Sequence, residues 1–303
     1  MRALAPVLAA ALLMAGAARA DALPPPEILE AEAKWQAEIA EANEAYAAKP
    51  TAILKIDDAI YLKPGETAWL LNEGGTYAWS LSAPASAEAP FVTASEDLRH
   101  AQLDVPGATV DLLDEGVAPY ALSETVRVSA GVAQIEPGKD GMRIAVYNDA
   151  NPDAAAFTGL DYYPYDPSFV VEAAFQPAAK LEPKVFQTSR GWYKQFYYAG
   201  DAVFTLKDVA VRLPMYAGTD DPAELDSLAA FIMDETTGGE TYGVGRYIDV
   251  EVAKGALPAA LTIDFNYLYN PNCARSDHYN CPVAVDKVAL PVRAGEKKPA
   301  GHS

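Results

Sequence analysis

The sequence predicts a mainly β protein, an antiparallel sandwich or barrel-like domain with an N-terminal amphipathic helix. Three observations carry that expectation. From Thr51 onward, short apolar runs recur every 8–14 residues or so, separated by turns rich in Gly and Pro. Glu27 to Lys49 instead places apolar residues at every third or fourth position. Nowhere do strand-like and helix-like runs alternate as a parallel sheet requires.

Residues 1–20 read as a secretory signal. Arg2 gives a positive start, Leu4 to Met14 is apolar, and Ala18-Arg19-Ala20 has the small-x-small form of a cleavage site. That run is too short to cross about 30 Å of hydrocarbon. Cleavage before Asp21 predicts a product of about 283 residues in the periplasm or outside the cell, with no membrane insertion. Pro24-Pro25-Pro26 then forms a stiff spacer within 21–50. In the helix that follows, Ile28, Ala31, Trp35, Ile39, Ala42 and Tyr46 share a face, and Pro50 closes it. This face packs on the domain or serves as a partner-binding arm.

Residues 51–297 read as a single β-rich domain. Its first half holds runs at Ala52 to Leu62, Trp69 to Asn72, Tyr77 to Leu81, Ala101 to Val105, Ala108 to Leu113, Val126 to Ile135 and Met142 to Tyr147. The second half continues with Val170 to Phe175, Val185 to Thr188, Trp192 to Tyr198, Ala202 to Leu206 and Val209 to Leu213. Ala229 to Met233, Arg246 to Val252, Leu261 to Phe265 and Val288 to Arg293 complete the set. Residues 298–303 read as a disordered polar tail.

Half of the residues are hydrophobic, so a sizeable core is available, and the net charge is −19. Nucleic acid and anionic lipid repel such a chain, and no basic patch opposes that. Cys273 and Cys281 are the only cysteines. In an exported chain they suggest a disulfide, whose short loop contributes about 2–3 kcal/mol. With His278 between them, metal ligation and a reactive thiol are the alternatives.

Polar residues concentrate in 234–281. Gly238, Gly239, Gly243 and Gly245 allow tight turns between Asp234 and Arg246, as a plain hairpin or as a pocket wall. No phosphate-loop or nucleophile-elbow motif occurs. Asp264 and Asn266 alternate with Phe265, so both point away from the face it takes, and Arg246 is the expected partner of Asp264. The aromatic clusters Tyr162-Tyr163-Pro164-Tyr165 and Trp192 to Tyr198 read as β core or as a stacking platform.

These C-terminal residues resemble the bacterial and archaeal family of domain of unknown function 1684. The match runs through Asp-x-Thr-x-Gly-x-Glu-Thr-Tyr-Gly-x-Gly-Arg at 234–246 and Asp-Phe-Asn-x-x-Tyr-Asn-Pro-x-Cys at 264–273. It continues through Cys-Pro at 281–282 and Ala-Gly-Glu-Lys at 294–297. A looser match, Phe157-x-Gly-Leu-x-x-Tyr-Pro-x-Asp166, lies upstream. The resemblance covers about residues 120–297 and extends loosely over 27–119. Two positions depart from the family pattern. Cys281-Pro-Val-Ala-Val285 replaces Cys-Pro-Leu-Pro-Pro, and Val288-Ala289-Leu290 stands where Asn-Arg-Leu is expected.

The resemblance implies that Asp234, Thr236, Thr241, Tyr242, Arg246, Asp264, Asn266, Tyr269, Asn270, Cys273, Cys281 and Glu296 occupy motif positions. It implies no activity and no cofactor. The functional expectation is an exported protein that binds a small polar or anionic ligand or serves a structural envelope role. Arg246, Asp264, Asn266, Tyr242, Thr241, Asp234, Thr236, Tyr269 and Asn270 are the ligand-binding candidates. The alternative is a hydrolase with Asp264 or Glu296 as general base.

Overall fold

Helix α1 (Pro26–Ala47) begins with proline in its first turn, where a missing N–H costs nothing. Its apolar face is occupied within the chain. The Trp35 indole N–H donates to the Asn266 carbonyl at 2.9 Å, and the ring meets Tyr162 edge-on with centroids 5.9 Å apart. Tyr46 stacks on Phe157 with centroids 6.0 Å apart. The helix is therefore a packed element, and the Trp35 side of it is not an open partner-binding stripe. Trp35→Phe keeps most of the buried ring but leaves that carbonyl without its donor. The expected loss is about 1–2 kcal/mol, read from the urea midpoint; an unchanged midpoint would show that the helix is not anchored there.

The computed structural model describes residues 24–86 and 88–299. The expected signal at 1–20 and residues 300–303 of the expected tail lie outside the described residues. Lys298, the first residue of that tail, donates its N–H to the Glu240 carbonyl at 3.0 Å.

The first β-rich half is a sandwich. Its strands are β1 (Ile56–Leu62), β2 (Thr67–Glu73), β3 (Thr76–Ser80), β4 (Phe91–Ala94), β5 (Ala101–Val105), β6 (Ala108–Asp111), β7 (Tyr120–Ala121), β8 (Val126–Glu136) and β9 (Lys139–Asn148). They form a four-stranded sheet in the order β1-β9-β8-β7 and a five-stranded sheet in the order β3-β2-β4-β5-β6. The two share a core that includes Leu62, Leu70, Trp79, Val92, Leu103, Met142, Ile144 and Val146. Strand β3 is an edge whose free N–H groups need acceptors. Asp57 and Asp58 of β1 supply them, accepting from Tyr77 N at 3.0 Å and Trp79 N at 2.7 Å.

After the short helix α2 (Pro152–Ala156), the second half rolls into a nearly closed barrel. Its strands are β10 (Val170–Gln187), β11 (Tyr193–Leu206), β12 (Val209–Ala217), β13 (Ser227–Met233), β14 (Arg246–Glu251) and β15 (Ala260–Asp264), in the order β14-β13-β12-β11-β10-β15. Beyond β15, Tyr269 and Tyr247 of β14 exchange backbone hydrogen bonds at 2.9 and 3.0 Å, which closes the ring. Along β15 the side chains alternate as expected: Leu261, Ile263 and the following Phe265 are buried in a core shared with Phe175, Phe204, Met215 and Leu268. The unit expected over 51–297 thus holds two large apolar cores, one in the sandwich and one in the barrel, and two smaller clusters, of which one gathers Phe186, Phe231 and Tyr247 with Cys273 and Cys281.

Several elements differ from expectation: β4 and β7 fall where no run was read, and β11 joins the runs Trp192 to Tyr198 and Ala202 to Leu206. The runs Val170 to Phe175 and Val185 to Thr188 belong to one strand, β10, because a bulge between Pro177 and Glu182 carries the chain past its prolines. Gly200, opposite Pro177, has φ +144°, and a Cβ there would lie 2.8 Å from the Pro177 Cα. The run Val288 to Arg293 is not a strand. Only β16 (Asp286–Lys287) pairs, in parallel with β13, before the chain turns over the barrel end.

Candidate functional site

Most of the signature residues meet at one end of the barrel, where they are sealed from solvent. Arg246 opens β14 with its side chain only 1% exposed, as is that of Asp234. Its Nη2 donates to Asp234 Oδ2 at 2.7 Å and to the Val292 carbonyl at 2.8 Å. Its Nη1 donates to the carbonyls of Ala294 and Glu296. One guanidinium therefore ties the strand to the C-terminal segment. The other Asp234 oxygen accepts from the Thr236 N–H at 2.6 Å and from its hydroxyl, and the Thr236 hydroxyl bonds to that of Thr241 at 2.9 Å.

The same segment is held a second time. Glu296 accepts from Asn270 N at 2.7 Å and from Arg275 at 2.8 Å, while the Asn270 amide donates to the Lys297 carbonyl at 2.7 Å. Burial raises the Glu296 carboxyl above its ordinary value, against the opposing pull of Arg275 and the Asn270 N–H. The Tyr269 hydroxyl donates to Asp249 at 2.7 Å. These groups form a polar clasp with its bonds turned inward.

Asp264 does not pair with Arg246, as the sequence reading expects. The strand ends at Asp264 and the chain tightens into a 3-10 turn at Phe265–Tyr267, which takes Asn266 out of strand alternation and folds it back onto Asp264. Its carboxylate accepts from Asn266 N at 2.9 Å and from the Asn266 amide at 2.7 Å. The Asn266 amide group also brackets the Asp166 backbone, accepting from its N–H at 2.9 Å and donating to its carbonyl at 3.0 Å. Asp264 is raised by burial, opposed by those Asn266 bonds. Asp234, twelve residues before Arg246, takes the place given to Asp264.

Tyr242 alone of the ligand-binding candidates lines an open cleft. This cleft, about 780 Å³, is bounded by Thr188, Ser189, Arg190, Cys273, Asp277 and Tyr279 among others. Arg190 sits between β10 and β11, its guanidinium 5.5 Å from the Trp192 ring centroid. Trp192 meets Tyr61 of the sandwich edge-on at 5.2 Å, Arg143 of β9 lies 4.9 Å over the Tyr279 ring, and His278 approaches Asp58 at 3.4 Å. The cleft thus lies beside the contact between the two halves. Burial pushes the Asp58 carboxyl up, but the bonds from His278 and the Trp79 N–H outweigh it and hold it below its ordinary value.

Cys273 and Cys281 are free, buried thiols, Cys273 at the wall of this cleft and Cys281 behind it, so the disulfide expected from their spacing is not formed in this structure. The Cys273 N–H donates to Cys281 Sγ at 3.3 Å. With His278 turned to Asp58, the alternative Cys-His-Cys ligand set is not assembled. Among the described residues no group of three or more His, Cys, Asp or Glu could hold a metal ion.

Sequence reasoning missed Ser189, Arg190, Asp277 and Tyr279. A signal was present for two of them: Thr188-Ser-Arg-Gly191 lies between two recognised strand runs, and such a tip displays its side chains.

Residues 155–297 match the model of DUF1684, described as a protein of unknown function. That segment is similar to the DUF1684 family. The match covers the barrel and the clasp and leaves the sandwich outside. Among solved structures, the solution NMR structure of an uncharacterized protein of Haloarcula marismortui is 28% identical, covering 49% of this chain and 80% of that one, with a TM-score of 0.41. No curated protein matches the chain. The DUF1684 signature residues here are mostly clasp residues, with Tyr242 and Cys273 at the cleft.

Proposed function

We propose that the protein is an exported small-ligand-binding protein that takes a small anionic or polar molecule in the cleft beside Arg190 and Tyr242. The observation that carries this reading is the lining of that cleft. In a chain of net charge −19 it presents an exposed guanidinium, a serine hydroxyl and two tyrosines in one concavity. A planar donor such as Arg190 suits a carboxylate or phosphate. The clasp takes the structural role that the sequence reading left open.

The hydrolase alternative has less support. The Glu296 carboxylate is fully buried with both oxygens engaged, and Asp264 is bonded to Asn266 away from the cleft. A general base needs access to a water and a substrate. Export follows from the N-terminal residues alone, and the acidic surface argues against nucleic acid and anionic membranes as partners.

Titration calorimetry with inorganic phosphate and with a small dicarboxylate tests the cleft. Arg190→Ala should weaken binding of the better probe about ten- to a hundredfold, the worth of a charge-assisted hydrogen bond. Arg190 is exposed, so the fold should survive. Equal binding by the variant would remove the cleft from consideration.

A further inference from the structure

The proposed ligand site leaves unused the buried Cys273 thiol at its wall and the Cys281 thiol beside it. We propose that Cys273 and Cys281 are a redox-active dithiol that reduces a small organic disulfide entering this cleft, with Cys273 as the attacking thiol and Cys281 as the resolving one. The proposal rests on the cleft being a ligand site and adds its chemistry.

Four observations support that division of roles. First, Cys273 is a lining residue of the cleft and Cys281 is not. Second, cleft-lining hydroxyls stand around Cys273: the Tyr242 hydroxyl donates to the Cys273 carbonyl at 3.2 Å, and Ser189 lines the same wall. Third, Cys281 is within reach, its sulfur lying 3.3 Å from the Cys273 nitrogen, and its own N–H donates to Ser189 Oγ at 3.3 Å. The Ser189 N–H also donates to the Cys281 carbonyl at 2.8 Å, so Ser189 braces Cys281. Fourth, the half-buried Lys194 of β11 places its positive charge near both sulfurs, and Arg143 of β9 lies near Lys194.

These surroundings separate the two thiols. The neighbouring Cys281 thiol lowers Cys273 well below the usual thiol value; Ser189 and Tyr242 add to it, against the cost of burial. The partner hydrogen bond and burial raise Cys281. A thiolate is the nucleophile, so the pair has one activated sulfur and one held in reserve. The other charged or titratable groups around them are Tyr247 of β14, Tyr46 of α1, Tyr61 of β1, Tyr269 and Tyr279, and Asp277 of the intervening loop. The cleft is large enough for an organic disulfide, and Arg190 offers its carboxylates a partner.

The exchange balances as follows. The Cys273 thiolate attacks one sulfur of R–S–S–R, forming a Cys273–S–S–R bond and expelling R–S⁻. The expelled thiolate takes up the proton that Cys281 gives up. Cys281 then attacks Cys273 Sγ, forming the Cys273–Cys281 bond and releasing the second R–S⁻. The protein dithiol loses two electrons and the small disulfide becomes two thiols.

The test mixes the pre-reduced full chain with oxidised glutathione and follows intact mass after acid quenching. The wild type should form the internal disulfide without retaining an adduct. Cys281→Ser should trap a single glutathione adduct on Cys273, and Cys273→Ser should stay unmodified. Because either variant could fold poorly, the wild type is also alkylated with iodoacetamide across pH and mapped. Cys273 should react at least about tenfold faster than Cys281 at pH 7, with its inflection below the roughly 8.5 of an ordinary thiol. An ordinary inflection, preferential modification of Cys281, or an oxidised pair that excess reduced glutathione cannot open would overturn the proposal; the last outcome would make it a structural disulfide. Iodoacetamide is neutral and needs no anion site. Loss of phosphate and dicarboxylate binding as a reading would therefore leave the alkylation profile intact, and the two failures are distinguishable.

Discussion

Arg246→Ala should destabilise the protein more than any surface change, by about 3–5 kcal/mol, because it leaves Asp234 charged and buried without its partner. Three backbone carbonyls, those of Val292, Ala294 and Glu296, lose their donor in the same step. The melting transition should fall by on the order of 10 °C. Asp234→Asn keeps the shape but strips the charge opposite the guanidinium, so it should also be costly. A double replacement by apolar residues, Arg246→Met with Asp234→Leu, should recover part of the loss, since a buried ion pair contributes little over well-packed apolar groups. It would not restore the carbonyl bonds. Phosphate binding at the Arg190 cleft should be unchanged in any variant that still folds, since Arg246 does not line it. Urea unfolding by far-UV circular dichroism measures the first effect. A cost below about 1 kcal/mol, the range of an exposed pair, would mean that water reaches the guanidinium and that the clasp is not sealed.

That prediction marks where the sequence was legible and where it was not. The period-3.6 pattern around Trp35 and Tyr46 located helix α1 to within two residues at its C-terminal end, because an amphipathic face is a local signal. The alternation Leu261, Ile263, Phe265 placed Phe265 inward for the same reason. Partner choice was harder. Asp234 and Asp264 are equally plausible acids for Arg246 in sequence, and their selection depends on how the barrel closes through Tyr247 and Tyr269. The long hairpin of β10 and β11 was also hidden, since Pro177 and Pro183 read as breaks until a bulge and Gly200 absorb them. The crowding of polar residues at 234–281 suggested a pocket. Most of them face inward because an irregular segment over a barrel end needs side chains to satisfy its backbone. The residues that line the cleft come instead from a hairpin tip and a loop, which carry no periodic signal.

Gly295→Ala should be the second severe change. Gly295 adopts φ +76°, and a Cβ there would lie 2.6 Å from the Leu268 carbonyl oxygen and 3.0 Å from the Leu268 Cα. The nearest atom of all is the Leu268 Cβ, which is fixed to its backbone, so no side chain can swing aside. The left-handed conformation costs a non-glycine residue about 1–2 kcal/mol, and overpacking of a closed site a further 1–3 or so. Function of the clasp is at stake as well as stability. The Gly295 carbonyl accepts from Tyr163 N at 2.9 Å, and the next residue, Glu296, donates its N–H to Leu268 at 2.7 Å. A shift at Gly295 therefore displaces Glu296 from Asn270 and Arg275. Replacement by alanine should cost about 2–5 kcal/mol in urea unfolding and should expose the Glu296 amide to hydrogen exchange. Gly74→Ala is the control: its φ of +71° imposes the same backbone strain, but nothing lies within 4 Å of the added carbon. The difference between the two variants isolates the contact with Leu268. Equal effects would mean that backbone conformation alone explains the glycine, and that the C-terminal segment is not pressed against the barrel end.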